Sequence, residues 1–303
     1  MTATLTAEPD AIQPDYDIRT STMSLGRRLR NGLASVFMVG TFIVATIPLA
    51  MVSWTVLSKG LSVVGPKFLT EDIPRQYRSV GPGMGPAIVG TIVMTAVASL
   101  LAIPLGVLGA IYLSEYGRQK PFARLVRTMA DVMTGVPSIV MGLFIFVAFV
   151  LPYGQKSGLA GGLALACLML PIVIRSSEEM LRLVPEDLRA ASTALGARRW
   201  KTTVSVVLPA ALTGITSGAM LAIARAAGET APLIATAGVV YSANWSISGQ
   251  NTALSAQIFR NASQPFPGAQ ARAWGAALTL IVIVFLFTVA ARIVANRFSS
   301  RTI

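Results

Sequence analysis

Long apolar stretches constrain this chain more than any other feature of its sequence. A helix needs about 20 predominantly apolar residues to cross the roughly 30 Å hydrocarbon core of a bilayer. Stretches of this kind occur six times, at residues 33–57, 86–113, 132–152, 158–176, 206–240 and 274–296. Because strand-like alternation in ten-residue segments is missing, we expect each span to be helical. The sequence therefore predicts an all-α, polytopic membrane protein with six transmembrane helices.

The fifth apolar stretch, residues 206–240, is too long for one upright span. We therefore expect it to tilt, to break near Pro232 or to end outside the bilayer. Proline favours a break, because it lacks a backbone N–H and collides with the preceding turn of a helix.

The composition supports a membrane protein and argues against other classes. Only 13% of the residues are charged, against about 25% in a typical soluble domain. Histidine is absent, which excludes imidazole acid–base chemistry and His metal sites. One cysteine and scattered carboxylates do not supply the nucleophile and base of an intramembrane enzyme. No convincing inverted repeat indicates a gradient-driven transporter.

The distribution of Lys and Arg predicts the orientation in the membrane. The N-terminal tail, the loops at 114–131 and 177–205 and the C-terminal end are more basic than the alternate set of loops. Cytoplasmic segments carry such an excess, so both termini are expected to be cytoplasmic. The predicted division is a cytoplasmic tail over 1–32, a first span with its external loop over 33–85, and a transmembrane domain over 86–298. The net charge of +12 does not indicate nucleic acid, because the basic residues lie at the ends of apolar runs.

Two full charges lie within the fifth apolar stretch, in "IARAAGETAPLIATAG". Near a bilayer centre each of Arg225 and Glu229 would cost at least roughly 2.5–3.5 kcal/mol. Four residues apart on one helix, they would share a face and partly neutralise each other. Two interpretations are open: a pair that only locks the helices in place, or a pair that faces an aqueous route for an anion. The guanidinium fork suits carboxylate and phosphate oxygens.

Two further residues are candidates for the same route. Arg175 ends the apolar run "LACLMLPIVIR", so it either lines the inner half of the route or extends to the membrane surface. Glu178 and Glu179, one turn further on, offer it carboxylate partners. The hydroxyl of Thr230 either contributes to the anion site or bonds to the backbone of its own helix.

The loop "VPEDLRAASTALGARRWKTTVSVVLPAALTGI" predicts two short helices separated by a turn. Pro185 suits a first helical position, and Gly196 is typical of the residue that follows a helix. A second helix is expected from about Arg198 to Pro209, where the chain re-enters the bilayer. We call residues 185–205 the elbow.

Apolar residues recur at helical spacing along the first helix of the elbow, at Leu188, Ala191, Ala194 and Leu195. Such a face beside a membrane surface favours docking into a partner protein. An ordinary surface loop with a basic end is the alternative.

"RAASTALGARRWKTTVSVVLPAALTGI" is similar to the EAA loop of bacterial ABC importer permeases. Ala191, Gly196, Leu208 and Pro209 fall on that pattern, and Ala190 stands where the family has Glu. The resemblance implies that the elbow is a coupling helix that fits a cleft on an ATP-hydrolysing subunit. The implied coupling residues are Leu188, Ala191, Ala194, Leu195, Gly196, Ala197, Arg198, Arg199 and Trp200. Because the chain has no Walker-type phosphate loop, we expect it to be no enzyme and to bind no cofactor, with ATP and Mg²⁺ used by the partner ATPase.

"LAIARAAGETAPLIATAG" resembles the corresponding segment of phosphate-specific ABC transporter permeases, and its ending "GETAPL" resembles the A-type permease more than the C-type permease that pairs with it. The resemblance extends from about residue 86 to the end and implies a type I ABC importer permease fold in a bacterial inner membrane. The implied substrate is inorganic phosphate. The implied partners are a homologous C-type permease, an ATP-binding subunit dimer, an external phosphate-binding protein and the lipid bilayer, without nucleic acid. A permease for sulfate, molybdate or phosphonate and a non-transporting scaffold are the alternatives.

Overall fold

The computed structural model describes residues 25–79, 81 and 83–299. These residues form helices, turns and loops without a strand, which confirms the all-α prediction. The chain divides into two units, residues 1–53 and 54–303. The described part of the first unit, from residue 25, is the N-terminal portion of the first helix, so residues 25–32 are helical and not part of a tail. The rest of the predicted tail lies outside the described residues.

The helices follow in the order α1 (Leu25–Leu61), α2 (Pro66–Thr70), α3 (Gly85–Ile111), α4 (Pro121–Gly135), α5 (Ser138–Ile145), α6 (Leu151–Tyr153), α7 (Gly158–Arg182), α8 (Glu186–Ala194), α9 (Arg199–Thr202), α10 (Leu208–Gly228), α11 (Ala231–Thr236), α12 (Leu254–Ala262) and α13 (Pro267–Ser299). Three π-helical segments follow α3, α5 and α9, at Tyr112–Tyr116, Phe146–Val150 and Thr203–Val207. Five of the described helices are long and apolar enough to cross a membrane: α1, α3, α7, α13 and the continuous helix Arg199–Gly228.

The sixth crossing is bent. Helices Pro121–Gly135 and Ser138–Tyr153 meet at 107°, where Pro137 forces the preceding residue, Val136, into an extended conformation with ψ 129°. The prediction of one span over 132–152 is therefore wrong in its first residues, since these belong to α4. Counting the bent pair as one span gives the six predicted crossings.

The predicted break in the fifth apolar stretch is confirmed. Helix α10 ends at Gly228, Glu229 is extended, and α11 begins at Ala231 with Pro232 in its first turn. Pro232 cannot continue the preceding helix, because its ring would collide with the carbonyl of the previous turn. The polar residues 229 and 230 thus lie in a short gap between two helices.

The central core packs α3, α7 and α10 against one another. Small and slender side chains dominate it, so the helix backbones approach closely, as membrane helices do. Its buried members include Met94, Ala98, Ala102, Leu165, Met169, Val173, Ala222, Ala226 and Leu233. This packing holds the end of α10 and the start of α11 in place.

The loop between α2 and α3 is anchored by a buried cation. Arg272 is almost fully buried in the first turns of α13. Its guanidinium donates to the carbonyl oxygens of Tyr77, Ser79 and Gly81 and lies 3.4 Å from the side-chain oxygen of Asn261. Backbone carbonyls therefore satisfy this arginine, an arrangement that no sequence pattern indicates.

Candidate functional site

Arg225 lies in the last turn of α10, and its side chain is 67% exposed. It ends an exposed stripe along that helix. The stripe consists of Ala210, Thr213, Ser217, Leu221 and Arg225. Four of these five residues are small, polar or charged, which is unusual for a lipid-facing surface. Arg225 is therefore not enclosed by the helices of this chain.

Glu229 is the partner of Arg225, although it is not on the same helix. The sequence predicted two residues on one helical face, but α10 ends before Glu229, which has φ −69° and ψ 131°. The backbone N–H of Glu229 donates to the carbonyl of Ala226, and its carbonyl accepts from the hydroxyl of Ser255. These two bonds hold the backbone so that the carboxylate, 20% exposed, lies 3.9 Å from the Arg225 Nε. At that distance the two groups attract each other without a direct hydrogen bond.

A cavity of about 200 Å³ lies beside the Arg225–Glu229 pair. It is several times larger than the roughly 30 Å³ that one water occupies in the liquid. The other lining residues come from the bend between α4 and α5 and from α7: Met133, Thr134, Val136, Pro137, Ser138, Leu168, Pro171 and Ile172. The cavity therefore combines two opposite charges and two hydroxyl groups with apolar walls, a composition typical of a site for a small polar ligand.

Thr230 stands next to the pair as the residue that precedes α11. Its hydroxyl makes no capping hydrogen bond to that helix, and Thr230 does not belong to the described lining of the cavity. Helix α11 is held by neighbouring backbone and side-chain groups: the Lys156 ammonium donates to the Ile234 carbonyl, and the Ser157 N–H donates to the Thr236 carbonyl.

Gly142 of α5 also determines where α11 lies. A Cβ atom added at Gly142 would be 2.5 Å from the Cα of Pro232, too close for any side chain. Because the contacting atom belongs to the backbone, a larger residue would have to push α5 and α11 apart. The position of the gap that contains Glu229 therefore depends on a glycine in a different span.

We expect Gly142→Ala to disrupt the site. Overpacking of this kind typically costs about 1–3 kcal/mol, so the apparent melting temperature in detergent should fall by several degrees. Gly135→Ala is the matched control, because no atom lies within 4 Å of a Cβ at Gly135. An equal melting temperature in the two variants would contradict the contact between Gly142 and Pro232.

Arg175 lies in an ion-pair network between α4 and α7. It contacts Asp131 of α4, and its Nη1 is 3.9 Å from an oxygen of Glu178. Glu178 is nearly fully buried and also accepts from Arg127 at 2.7 Å and from Arg182 at 2.6 Å. One of the two predicted partners, Glu178, is thus in place, whereas Glu179 is exposed and forms no ion pair among the described residues. Arg175 does not line the cavity of Arg225 and Glu229.

The elbow consists of two helices separated by a turn at Gly196, as predicted. Helix α8 starts directly after Pro185, and Gly196 has φ +81°, a left-handed conformation that favours glycine. Helix α9 starts at Arg199, but it does not end at Pro209 as predicted. A π-helical segment joins it to α10, and the proline falls in the first turn after that segment, so the helix continues to Gly228.

The residues implied to couple to an ATPase are mostly exposed. Leu188 and Ala191 lie on one exposed face of α8, which continues to Leu195, and Trp200 projects from α9. Residues Ala194, Gly196 and Arg198 are exposed as well, and Ala197 is half-buried. Arg199 differs from the others, because its guanidinium is bound to the carbonyl of Glu115. Ala190, at the position of the family's Glu, is exposed and adds no charge.

The sequence analysis did not identify the two acidic residues that bind Arg175 and Arg189. Asp131 binds Arg175, and Glu115 binds Arg189. Each partner is separated by more than 40 positions along the chain, so no local spacing could indicate it. The only available signal was that each carboxylate stands at the basic end of an apolar run.

Comparison with known proteins identifies the family. The family described as "Binding-protein-dependent transport system inner membrane component" matches residues 102–301. The phosphate transport system permease protein PstA 1 of Mycobacterium tuberculosis H37Rv is 41% identical over 295 residues, covering 94% of both chains. PstA of Mycobacterium leprae is 42% identical over 286 residues, covering 91% of this chain and 92% of that protein. PstA of Yersinia pestis is 37% identical over 270 residues, covering 88% and 90%.

Solved structures show the same fold at low sequence identity. A chain of the inward-facing MetNI methionine ABC transporter matches with a TM-score of 0.58 and 20% identity, covering 70% of this chain and 94% of that one. A chain of a bacterial ABC transporter involved in import of the acidic polysaccharide alginate matches with a TM-score of 0.56 and 13% identity, covering 89% and 99%. The fold is thus that of type I ABC importer permeases.

The fold and the elbow together define a multi-pass permease of the ABC importer class. The chain belongs to the binding-protein-dependent transport system inner membrane component family, and to the PstA type of phosphate transport system permease within it.

Proposed function

We propose that this chain is one of two membrane-spanning subunits of an ATP-driven importer of inorganic phosphate. Relatives named as phosphate transport permeases align over more than nine-tenths of the chain. The observation that carries the proposal is Arg225, a permanent positive charge exposed at the end of a span. Such a charge is too costly in lipid, so it faces protein or water, and its fork matches the oxygens of phosphate.

The exposed stripe on α10 supplies this chain's half of the route. Hydroxyl-bearing and small side chains precede Arg225 along one helical face, so the face is too polar for acyl chains. Because most of these side chains are short, a helix of another protein can approach closely. The other half of the route comes from a homologous C-type permease. Thr230 adds a hydroxyl next to the charged pair, and Arg175 lies on the inner side of the route beside α4.

The Arg225–Glu229 pair discriminates between anions. In the empty route, Glu229 partly neutralises Arg225 across 3.9 Å. An arriving phosphate competes for the guanidinium, and the proton that phosphate carries near neutral pH is donated to the Glu229 carboxylate. Sulfate has no such proton at that pH. The pair therefore favours phosphate over a fully ionised anion of the same shape.

The elbow couples conformational changes of the ATP-binding subunits to the membrane-spanning helices. Its exposed apolar face docks on a dimer of ATP-binding subunits, where ATP and Mg²⁺ are used, and this chain itself binds no cofactor and catalyses no reaction. A phosphate-binding protein delivers the substrate from outside. The excess of Lys and Arg in the elbow and near both ends of the chain supports a cytoplasmic position for the elbow and both termini.

A reconstituted transporter tests this function. The chain, co-purified with its permease and ATPase partners, is placed in vesicles with the phosphate-binding protein, and uptake of labelled phosphate is measured with sulfate as competitor. We expect phosphate uptake that requires ATP and resists sulfate, and we expect Glu229→Gln to lower the preference for phosphate about tenfold. That estimate takes the lower end of the roughly 1.5–3 kcal/mol contributed by a hydrogen bond to a charged group.

Glu71→Gln is the control for this experiment, because it removes an exposed carboxylate away from the cavity. An importer equally inhibited by sulfate, molybdate or phosphonate would favour the broader oxyanion alternative. Unchanged selectivity in Glu229→Gln would remove the proton-acceptor role of Glu229 and leave the transport function in place.

A further inference from the structure

Glu115, at the end of the second span, is the residue on which both halves of the elbow converge. The guanidinium of Arg189, in α8, donates to Glu115 from two nitrogens: Nη2 to Oε1 at 2.9 Å and Nε to Oε2 at 3.4 Å. The two side chains are only 11% and 8% exposed. A fork of two parallel bonds fixes the orientation of the elbow as well as its distance from the span.

Arg189 is tied to the end of α7 at the same time. Its Nη1 donates to the Val184 carbonyl at 2.6 Å, and its Nη2 donates to the Leu181 carbonyl at 2.8 Å. Two carbonyls and one carboxylate thus accept hydrogen bonds from the Arg189 guanidinium, and together they fix its position. The end of α7, the first elbow helix and the end of α3 share a single hydrogen-bonded group.

The second elbow helix reaches the same residue. Arg199 donates to the backbone carbonyl of Glu115, and its guanidinium carbon lies 5.2 Å from the centroid of the Tyr116 ring. Glu115 and Tyr116 belong to the π-helical segment that ends the second span. Such segments are locally wider than an α-helix and recur at functional positions.

Apart from the bonds of Arg189 and a hydrogen bond of 2.9 Å between the Ser192 and Thr202 hydroxyls, few described contacts hold helix α8. None of its residues is fully buried, so apolar packing contributes little to its attachment. The ion pair between Arg118 and Glu186 also connects the elbow to the α3–α4 loop, but the side chains are 50% and 65% exposed. Ion pairs between such exposed side chains are screened by water and contribute little to stability. The shielded Arg189–Glu115 pair is therefore the stiff connection between the elbow and the second span.

We infer that Glu115 is the positioning residue through which movement of the elbow is passed to the second span. This inference rests on the proposed function, since it requires an ATPase to move the elbow. Coupling between distant sites is carried by packed side chains, hydrogen-bond and ion-pair networks and rigid helices. The side chain of Glu115 binds α8 and its carbonyl binds α9, so a displaced elbow pulls the end of α3 with it.

The importer reconstituted with its ATPase and phosphate-binding protein tests this inference through the number of phosphates moved per ATP hydrolysed. In Glu115→Gln and in Arg189→Gln we expect this ratio to fall at least fivefold, while the ATPase still co-purifies and hydrolyses ATP. The double variant should have about the same ratio as the single variant with the lower ratio, because both substitutions remove the same connection. A residue needed only for folding would lower assembly and hydrolysis together and leave the ratio unchanged.

Arg118→Gln is the matched control and should keep the ratio within twofold of the unsubstituted importer. Where Glu115→Gln fails to assemble, Glu115→Asp keeps the charge with a shorter reach, and its lowered ratio supports the inference. The inference is overturned if the assembled variants move as many phosphates per ATP as the unsubstituted importer. The proposed function fails differently, when the unsubstituted complex neither binds an ATPase nor moves phosphate.

Discussion

We expect phosphate uptake to fall roughly a hundredfold when Arg225 is replaced by alanine. Hydrogen bonds between the guanidinium and the charged phosphate would contribute about 1.5–3 kcal/mol, and Arg225 is the one cation among the described residues that line the cavity. The measurement is uptake of labelled phosphate by vesicles that contain the assembled importer. ATPase co-purification should stay normal, since Arg225 lies near the opposite end of the helix Arg199–Gly228 from the elbow.

Two further variants define what Arg225 contributes. Arg225→Lys keeps the positive charge but loses the fork, so we expect partial uptake between alanine and arginine. Arg75→Ala removes an exposed arginine from the loop before α3 and should leave uptake unchanged. Normal uptake by an assembled Arg225→Ala importer would exclude an essential role for the guanidinium.

Glu178→Ala has the largest expected effect on stability. The side chain is 2% exposed and accepts from Arg127 and Arg182, with Arg175 close by. Removing the anion from a buried ion pair leaves uncompensated cations and costs about 3–5 kcal/mol. We expect the lower end of that range, because Arg182 is itself half exposed.

Thermal inactivation in detergent is the appropriate measurement for Glu178→Ala, since unfolding of membrane proteins is often irreversible and then reports a rate. Glu179→Ala is the matched control, an exposed carboxylate at the adjacent position. We expect a clear drop in the inactivation temperature for Glu178→Ala and almost none for the control. Equal temperatures would mean that the arginines find other partners, and the network would then have no structural role.

The elements that the sequence predicted correctly are those with a local cause. Six apolar stretches became five long helices and one bent pair, because the number of residues needed to cross a bilayer is a property of each segment. The break near Pro232 and the left-handed Gly196 follow from the covalent structure of those residues.

The errors arose where a distant contact or a local irregularity overrode the pattern. The stretch at 132–152 is bent at Val136 and Pro137, a break hidden within an apolar run. Pro209 does not end a helix, because the π-helical segment before it leaves room for the proline. Arg225 and Glu229 were expected on one helix, and they meet instead across its end.

The sequence by itself determined that the chain is helical, lies in a membrane and carries charges in its spans that require partners. Each conclusion depends on the chemistry of neighbouring residues and on the cost of placing them in lipid. Only the tertiary structure decided which partners those charges have. Glu115 and Arg189 are 74 positions apart, and Asp131 and Arg175 are 44 apart. Helix packing brings such groups together, and the pattern of apolar residues is satisfied equally well by many arrangements of the same spans.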